Sequence, residues 1–264
     1  MSNYTSIRYP LWNDPDNEAS ITAYLPNNQT ADCAVVILPG GAYYFRAEHG
    51  IVSFVVDYRC RTYPFPIPLL DARRGIQFVR HNAKTYGINP QKIAIMGSSA
   101  GGHLAALTST CQMEFQKDKD DALAEVSFAP NAQILCYPVI KLFGKGITHL
   151  DSAKNLLAEN YADLAEDLSP DLIATEGTPQ AFIWHTFEDS AVNVLNSIDY
   201  ARKLKECNVP TELHIFPKGY HGLGLSKGSD DVSRHVSIWT TLLLNWLSLI
   251  GFTASAGENC TDSI

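Results

Sequence analysis

The sequence predicts an α/β protein: a mostly parallel, doubly wound sheet with helices on both faces. Three observations carry that reading. Apolar runs such as Ala34-Val35-Val36-Ile37-Leu38 are continuous rather than alternating, as strands buried on both faces require. Between such runs, apolar residues recur three and four apart, which is the period of an amphipathic helix. The two patterns alternate along the chain, and that alternation calls for parallel strands joined by crossovers.

Each element follows from its residues. The first thirty carry strand-like fragments, clearest at Ser20-Ile21-Thr22-Ala23-Tyr24-Leu25, separated by Asn, Asp and Pro. Such fragments suit antiparallel strands at a sheet edge. Apolar runs at 34–38 and 51–58 are buried strands. Leu69, Ala72, Ile76, Val79 and Ala83 then mark a helix that ends around Tyr86-Gly87, with Asn89-Pro90 beyond as a stop signal. A strand over 93–96 enters a small-residue turn and a helix from His103. Residues 116–121 read as a polar surface loop, 133–137 as a strand, and 147–175 as a partly helical excursion. Residues 181–185 form the next strand, Val194, Ile198, Ala201 and Leu204 mark a helix, and 212–216 is the last strand. Val232, Val236, Trp239, Leu243 and Trp246 predict one closing helix packed on the core. No repeat and no long Gly/Ser or Pro linker divides the chain, so the expectation is a single domain over 1–264.

Composition narrows the function classes. With 264 residues, 45% hydrophobic and 18% charged, the chain can bury a sizeable core without staples. A net charge of −8 and no basic stripe argue against nucleic acid as a partner. Six singly spread cysteines (Cys33, Cys60, Cys111, Cys136, Cys207, Cys260) fit neither a zinc site nor a disulfide framework. The N-terminus lacks a signal-peptide pattern, which makes the cytoplasm the expected location. Residues 236–252 carry no charge, yet they include Ser237, Thr240, Thr241, Asn245 and Ser248 and fall short of a span of roughly 20 apolar residues. No membrane association is expected.

In a doubly wound sheet, ligands bind outside the carboxyl ends of the strands. Four loops there hold unusual chemistry. Gly97-Ser98-Ser99-Ala100-Gly101 reads G-x-S-x-G, a nucleophile elbow in which Ser99 sits on a sharp strand-to-helix bend. Pro39-Gly40-Gly41-Ala42 turns backbone N–H groups toward a developing anion; the expected donors are Gly41 and Ala42, to within one residue, together with Ala100. After His185, Asp189 is placed to orient an imidazolium, with Glu188 as its rival. After Phe216, His221 lies between glycines. Ser99, Asp189 and His221 occur in the order Ser…Asp…His, each just past a strand, the order of α/β-hydrolases. The other seven histidines fit that order less well.

With these loops assembled, the chain resembles an α/β-hydrolase esterase, in the bacterial acetylesterase/xylan-esterase-like group related to the hormone-sensitive-lipase and BD-FAE families. The resemblance runs over about residues 20–249. It rests on Leu38-Pro39-Gly40-Gly41-Ala42-Tyr43, Val56-Asp57-Tyr58-Arg59, 97–106, Tyr137-Pro138-Val139-Ile140, Phe182-Ile183-Trp184-His185-Thr186 and Gly219-Tyr220-His221-Gly222-Leu223-Gly224. It implies Ser99 as nucleophile, Asp189 as acid and His221 as base, with 147–175 as a small cap-like excursion. Two departures stand out. Gly40-Gly41-Ala42 replaces three glycines, a small change where backbone N–H groups act. Between Gly41 and Ile51 the chain has room for a very short helix or none, which could expose sheet, loosen the oxyanion loop, or be offset by a second subunit in a homodimer.

The implied activity is hydrolysis of short-chain acyl esters, acetyl foremost, on xylan-derived or other sugars, through an acyl-enzyme on Ser99. Such chemistry requires no metal or cofactor. The partner is a small-molecule ester, with Tyr43, Tyr44, Tyr137 and His149 as candidate lining residues. The same residues also allow a peptidase or formamidase, since a triad does not define the bond cleaved. A catalytically silent hydrolase fold acting as a binding module is the other alternative.

Overall fold

A computed structural model describes residues 3–14, 16–40, 49–116, 121–144 and 146–253. Eight strands form one sheet in the order β1-β2-β4-β3-β5-β6-β7-β8. These are β1 (Tyr4–Pro10), β2 (Ser20–Pro26), β3 (Ala34–Leu38), β4 (Val52–Asp57), β5 (Ile93–Ser98), β6 (Ala132–Cys136), β7 (Ala181–Thr186) and β8 (Thr211–Phe216). The β1–β2 and β2–β4 pairings are antiparallel, and every pairing from β4 to β8 is parallel. β1 is the edge strand and is mostly exposed, while β2 lies between β1 and β4 with Ile21 and Ala23 buried.

Strand periodicity divides the core. Ala34, Val36 and Leu38 face one apolar cluster, while Val35 and Ile37 face another. Helices α1 (Ile67–His81), α2 (Ala100–Thr110) and α6 (Leu195–Glu206) cover the first face through Leu69, Ile76, Leu107, Tyr200 and Leu204. Helices α7 (Asp231–Val236) and α8 (Trp239–Leu249) cover the second through Val236, Leu243 and Trp246. Burial on both faces is why these strands read as unbroken apolar runs. Between β6 and β7, short helices α3 (Leu150–Leu157), α4 (Tyr161–Leu164) and α5 (Pro170–Ile173) make up most of the excursion.

Two helix boundaries differ from expectation. Helix α1 stops at His81 rather than near Tyr86, because Asn82 Nδ2 donates to the Phe78 carbonyl at 2.8 Å and caps the last turn. The closing helix is two helices. At the break, Ser237 Oγ donates to the Arg234 carbonyl and the Thr240 N–H bonds the Ser237 carbonyl, an i,i+3 step that tightens the turn. Cys33, Cys111 and Cys136 are buried free thiols, and burial pushes Cys33 and Cys136 up to about 12. The short crossover expected between Gly41 and Ile51 lies mostly at 41–48, outside the described residues.

Candidate active site

Strand β5 delivers Ser99 to a bend with no intervening loop. Ser99 has φ 55° and ψ −121°, a conformation L-residues rarely adopt, worth about 1–3 kcal/mol of strain. Its neighbours hold it there. The Ser99 N–H donates to the Cys136 carbonyl at 3.1 Å, and its own carbonyl accepts from Val139 at 3.0 Å and His103 at 3.1 Å. Close packing explains the first glycine of the motif: a Cβ on Gly97 would lie 2.0 Å from the Gly101 carbonyl oxygen.

The loops after β7 and β8 bring Asp189 and His221 to this bend. Asp189 Oδ2 lies 2.7 Å from His221 Nδ1, and His221 Nε2 lies 2.8 Å from Ser99 Oγ. A carboxylate only accepts, so the His221 proton sits on Nδ1 and Nε2 accepts from the Ser99 hydroxyl. Asp189 Oδ1 accepts from the Ala191 and Val192 N–H groups, each at 2.9 Å. Glu188, the rival carboxylate, is exposed. Burial alone would raise the Asp189 carboxyl. Contacts from His185, His221 and the Val192 N–H outweigh burial and hold it well below the usual carboxylate range.

His185 was legible only as the end of a strand. It is fully buried, with Nδ1 2.7 Å from Ser197 Oγ and Nε2 3.0 Å from the Val192 carbonyl. The carbonyl places the proton on Nε2, which also lies 3.3 Å from Asp189 Oδ2. Two imidazoles therefore converge on one carboxylate oxygen. Its pairing with Ser197 on α6 depends on a contact across the core, which no local pattern reports.

Ala100 is exposed and opens α2, so its N–H has no carbonyl partner within the helix and is available to an anion. Gly41 and Ala42 lie outside the described residues, as do Tyr43 and Tyr44. The preceding residue, Gly40, touches the elbow directly: a Cβ there would stand 1.8 Å from the Ser98 carbonyl oxygen. Tyr58 OH donates to the Pro39 carbonyl at 2.9 Å and ties down the same loop.

Two expected lining residues do other work. Tyr137 is only 3% exposed and sits behind the base. Its ring meets His221 edge-on with centroids 5.0 Å apart, and its hydroxyl accepts from the Gly224 N–H at 3.2 Å. His149 caps α3, with Nδ1 accepting from the Ser152 N–H at 3.3 Å and lying 2.9 Å from Ser152 Oγ. The cavity beside the elbow, about 370 Å³, is lined instead by Gly40, Tyr58, Arg61, Ala100, Ser152 and Asn155, among others. Apart from Gly40, Tyr58 and Ala100, these residues belong to no motif and were not singled out from the sequence.

Among the described residues, no three His, Cys, Asp or Glu side chains group as metal ligands, and no helix is long and apolar enough to cross a membrane. The arrangement is suited to acyl transfer: a hydroxyl, a base in contact with it, an acid behind the base, and a free N–H beside the hydroxyl.

Comparison with known proteins agrees. The BD-FAE family model matches residues 22–204. Endo-1,4-beta-xylanase B of Butyrivibrio fibrisolvens is 35% identical over 244 residues, covering 82% of this chain and 38% of that protein. An acetylxylan esterase of Xylanibacter ruminicola is 30% identical over 260 residues, covering 90% and 51%. The chain thus spans about half or less of the length of these two curated relatives. Among solved structures, an acetyl ester-xyloside bifunctional hydrolase from Caldicellulosiruptor lactoaceticus superposes with a TM-score of 0.82 at 39% identity, covering 94% of this chain and 97% of that one. Sheet order, elbow and family match converge: the chain belongs to the BD-FAE family, in the xylan-esterase-like group of α/β-hydrolase esterases.

Proposed function

We infer that this protein is a serine carboxylic ester hydrolase that removes short acyl groups, acetyl foremost, from xylan-derived sugars. The observation that carries the reading is the continuous Ser99–His221–Asp189 hydrogen-bond chain at 2.8 and 2.7 Å. His221 Nε2 takes the Ser99 proton as Oγ attacks the ester carbonyl, and then returns it to the departing alcohol oxygen. Water repeats the sequence on the acyl-enzyme and releases the carboxylic acid. Asp189 holds the His221 tautomer. The Ala100 N–H, with donors from the loop after β3, stabilises the tetrahedral oxyanion; one such donor is worth about 3 kcal/mol. The acetyl and xylan specificity is supported by what the relatives are named for. Hydrolysis of p-nitrophenyl acetate and acetylated xylo-oligosaccharides, with fluorophosphonate labelling, tests the reading. Ser99→Ala abolishes turnover and labelling; a variant that retains either overturns it.

A further inference from the structure

The segment after β4 contains Arg59-Cys60-Arg61, and the fold treats its two arginines differently. Arg59 is neutralised: its Nε and Nη2 donate to the two oxygens of buried Asp71 at 3.0 and 2.7 Å, and its N–H donates at 2.9 Å. Asp71 also accepts from Trp12 Nε1 at 2.7 Å, so no acceptor capacity is left over for a second cation. Arg61, two residues on, has no ion pair and no hydrogen bond among the described residues. Its backbone is left-handed at φ 63°, a conformation unfavourable for a side chain without glycine's freedom.

Arg61 lines the 370 Å³ cavity that also contacts Gly40 and Ala100 at the elbow. It is the one formally charged side chain among the described lining residues. Asn155 on α3, also without a hydrogen bond among the described residues, reaches the same cavity from a different segment. A volume of this size is in the range of small-ligand pockets. The protein as a whole carries a charge of −8, so a guanidinium with no partner among the described residues runs against the overall field. Its planar fork matches a carboxylate in two parallel hydrogen bonds, whereas a neutral hydroxyl uses one.

We propose that Arg61 makes this cavity favour esters that carry a carboxylate near the scissile bond, such as an acidic sugar beside an acylated hydroxyl. The proposal rests on the esterase reading above and specifies its substrate class. Arg59 and Asp71 anchor the segment so that Arg61 projects from a fixed base.

Two substrate pairs test it. One pair is mono-p-nitrophenyl glutarate against p-nitrophenyl valerate, which places the carboxylate on the acyl side. The other is acetylated xylo-oligosaccharide with and without a uronic acid branch, which places it on the alcohol side. The readout is the kcat/KM ratio within each pair. Wild-type protein favours the anionic member of at least one pair by about fivefold at low salt, as expected for a partly solvated ion pair. Arg61→Gln brings that ratio to within twofold of unity, Arg61→Lys retains part of it, and added salt weakens it in the wild type. Equal rates within both pairs, or a ratio unchanged by Arg61→Gln, overturns the proposal. Titration of the Ser99→Ala protein with mono-p-nitrophenyl glutarate reads the same contact without turnover. Absent turnover with Arg61-dependent binding sinks the esterase reading alone, and turnover without any carboxylate preference sinks this proposal alone.

Discussion

Replacing His185 with phenylalanine removes both ring nitrogens while roughly keeping the ring volume. The Ser197 hydroxyl loses its acceptor at 2.7 Å and the Val192 carbonyl loses its donor at 3.0 Å, both at a site with no solvent access. An unsatisfied buried group costs about 1–3 kcal/mol, so the variant is destabilised by about 3 kcal/mol overall. The effect on turnover arises separately. Asp189 Oδ2 loses the Nε2–H that stands 3.3 Å away and keeps only His221 at 2.7 Å. The His185 contact is among those that hold the Asp189 carboxyl low, so in the variant that carboxyl rises toward the usual carboxylate range. The Asp189–Val192 turn also loses its tie to β7. Misplacement of a positioned group by about an ångström lowers kcat about 10- to 100-fold, with KM little changed. His185→Gln places an amide N–H near the old Nε2 and restores much of both effects. Steady-state kinetics on p-nitrophenyl acetate, beside thermal melts, separate the two contributions. A folded His185→Phe protein with wild-type kcat refutes the reasoning, because His185 would then be structural filling alone.

Gly40→Ala forces a methyl to within 1.8 Å of the Ser98 carbonyl oxygen, far inside the roughly 3 Å at which such atoms meet. The loop after β3 must retreat by about 1 Å from the elbow, and kcat falls about 100-fold; undiminished kcat in the folded variant contradicts this. His103 sets an acid limit to stability. Burial lowers its imidazole from 6.5 to about 4, against a hydrogen bond with the Leu168 carbonyl that raises it. The unfolded chain takes up this proton as pH drops below 6.5, whereas the folded form stays neutral until near 4. The contribution is therefore complete above 6.5 and is lost as pH falls through that window, by roughly 3 kcal/mol in all. Urea unfolding at pH 7, 5.5 and 4 reads it. The pH slope of His103→Gln is shallower than that of the wild type, and equal slopes rule His103 out.

The parallel core was legible because burial on both faces leaves unbroken apolar runs, and Ala34–Leu38 and Ala181–Thr186 stand where their composition placed them. Helix ends were less legible, since Asn82 and Ser237 act through side-chain hydrogen bonds that override apolar periodicity. Ser99, Asp189 and His221 could be picked out for a local reason. A bend, a strand end and a glycine-flanked loop each leave a mark in the chain, and their order carries the rest.

By itself, then, the sequence determined the fold class, the elbow and the three residues at the strand ends, because these depend on neighbours a few positions away. Tertiary structure alone decided what surrounds them. His185 meets Asp189 and Ser197, and Tyr137 backs His221, across distances no periodicity encodes. Arg59 is neutralised by Asp71 while Arg61, two residues away, has no partner among the described residues and stands beside the cavity. The two side chains are chemically identical. What separates them is which one the folded chain brings within reach of a buried carboxylate, a fact that exists only once α1 has docked on the sheet.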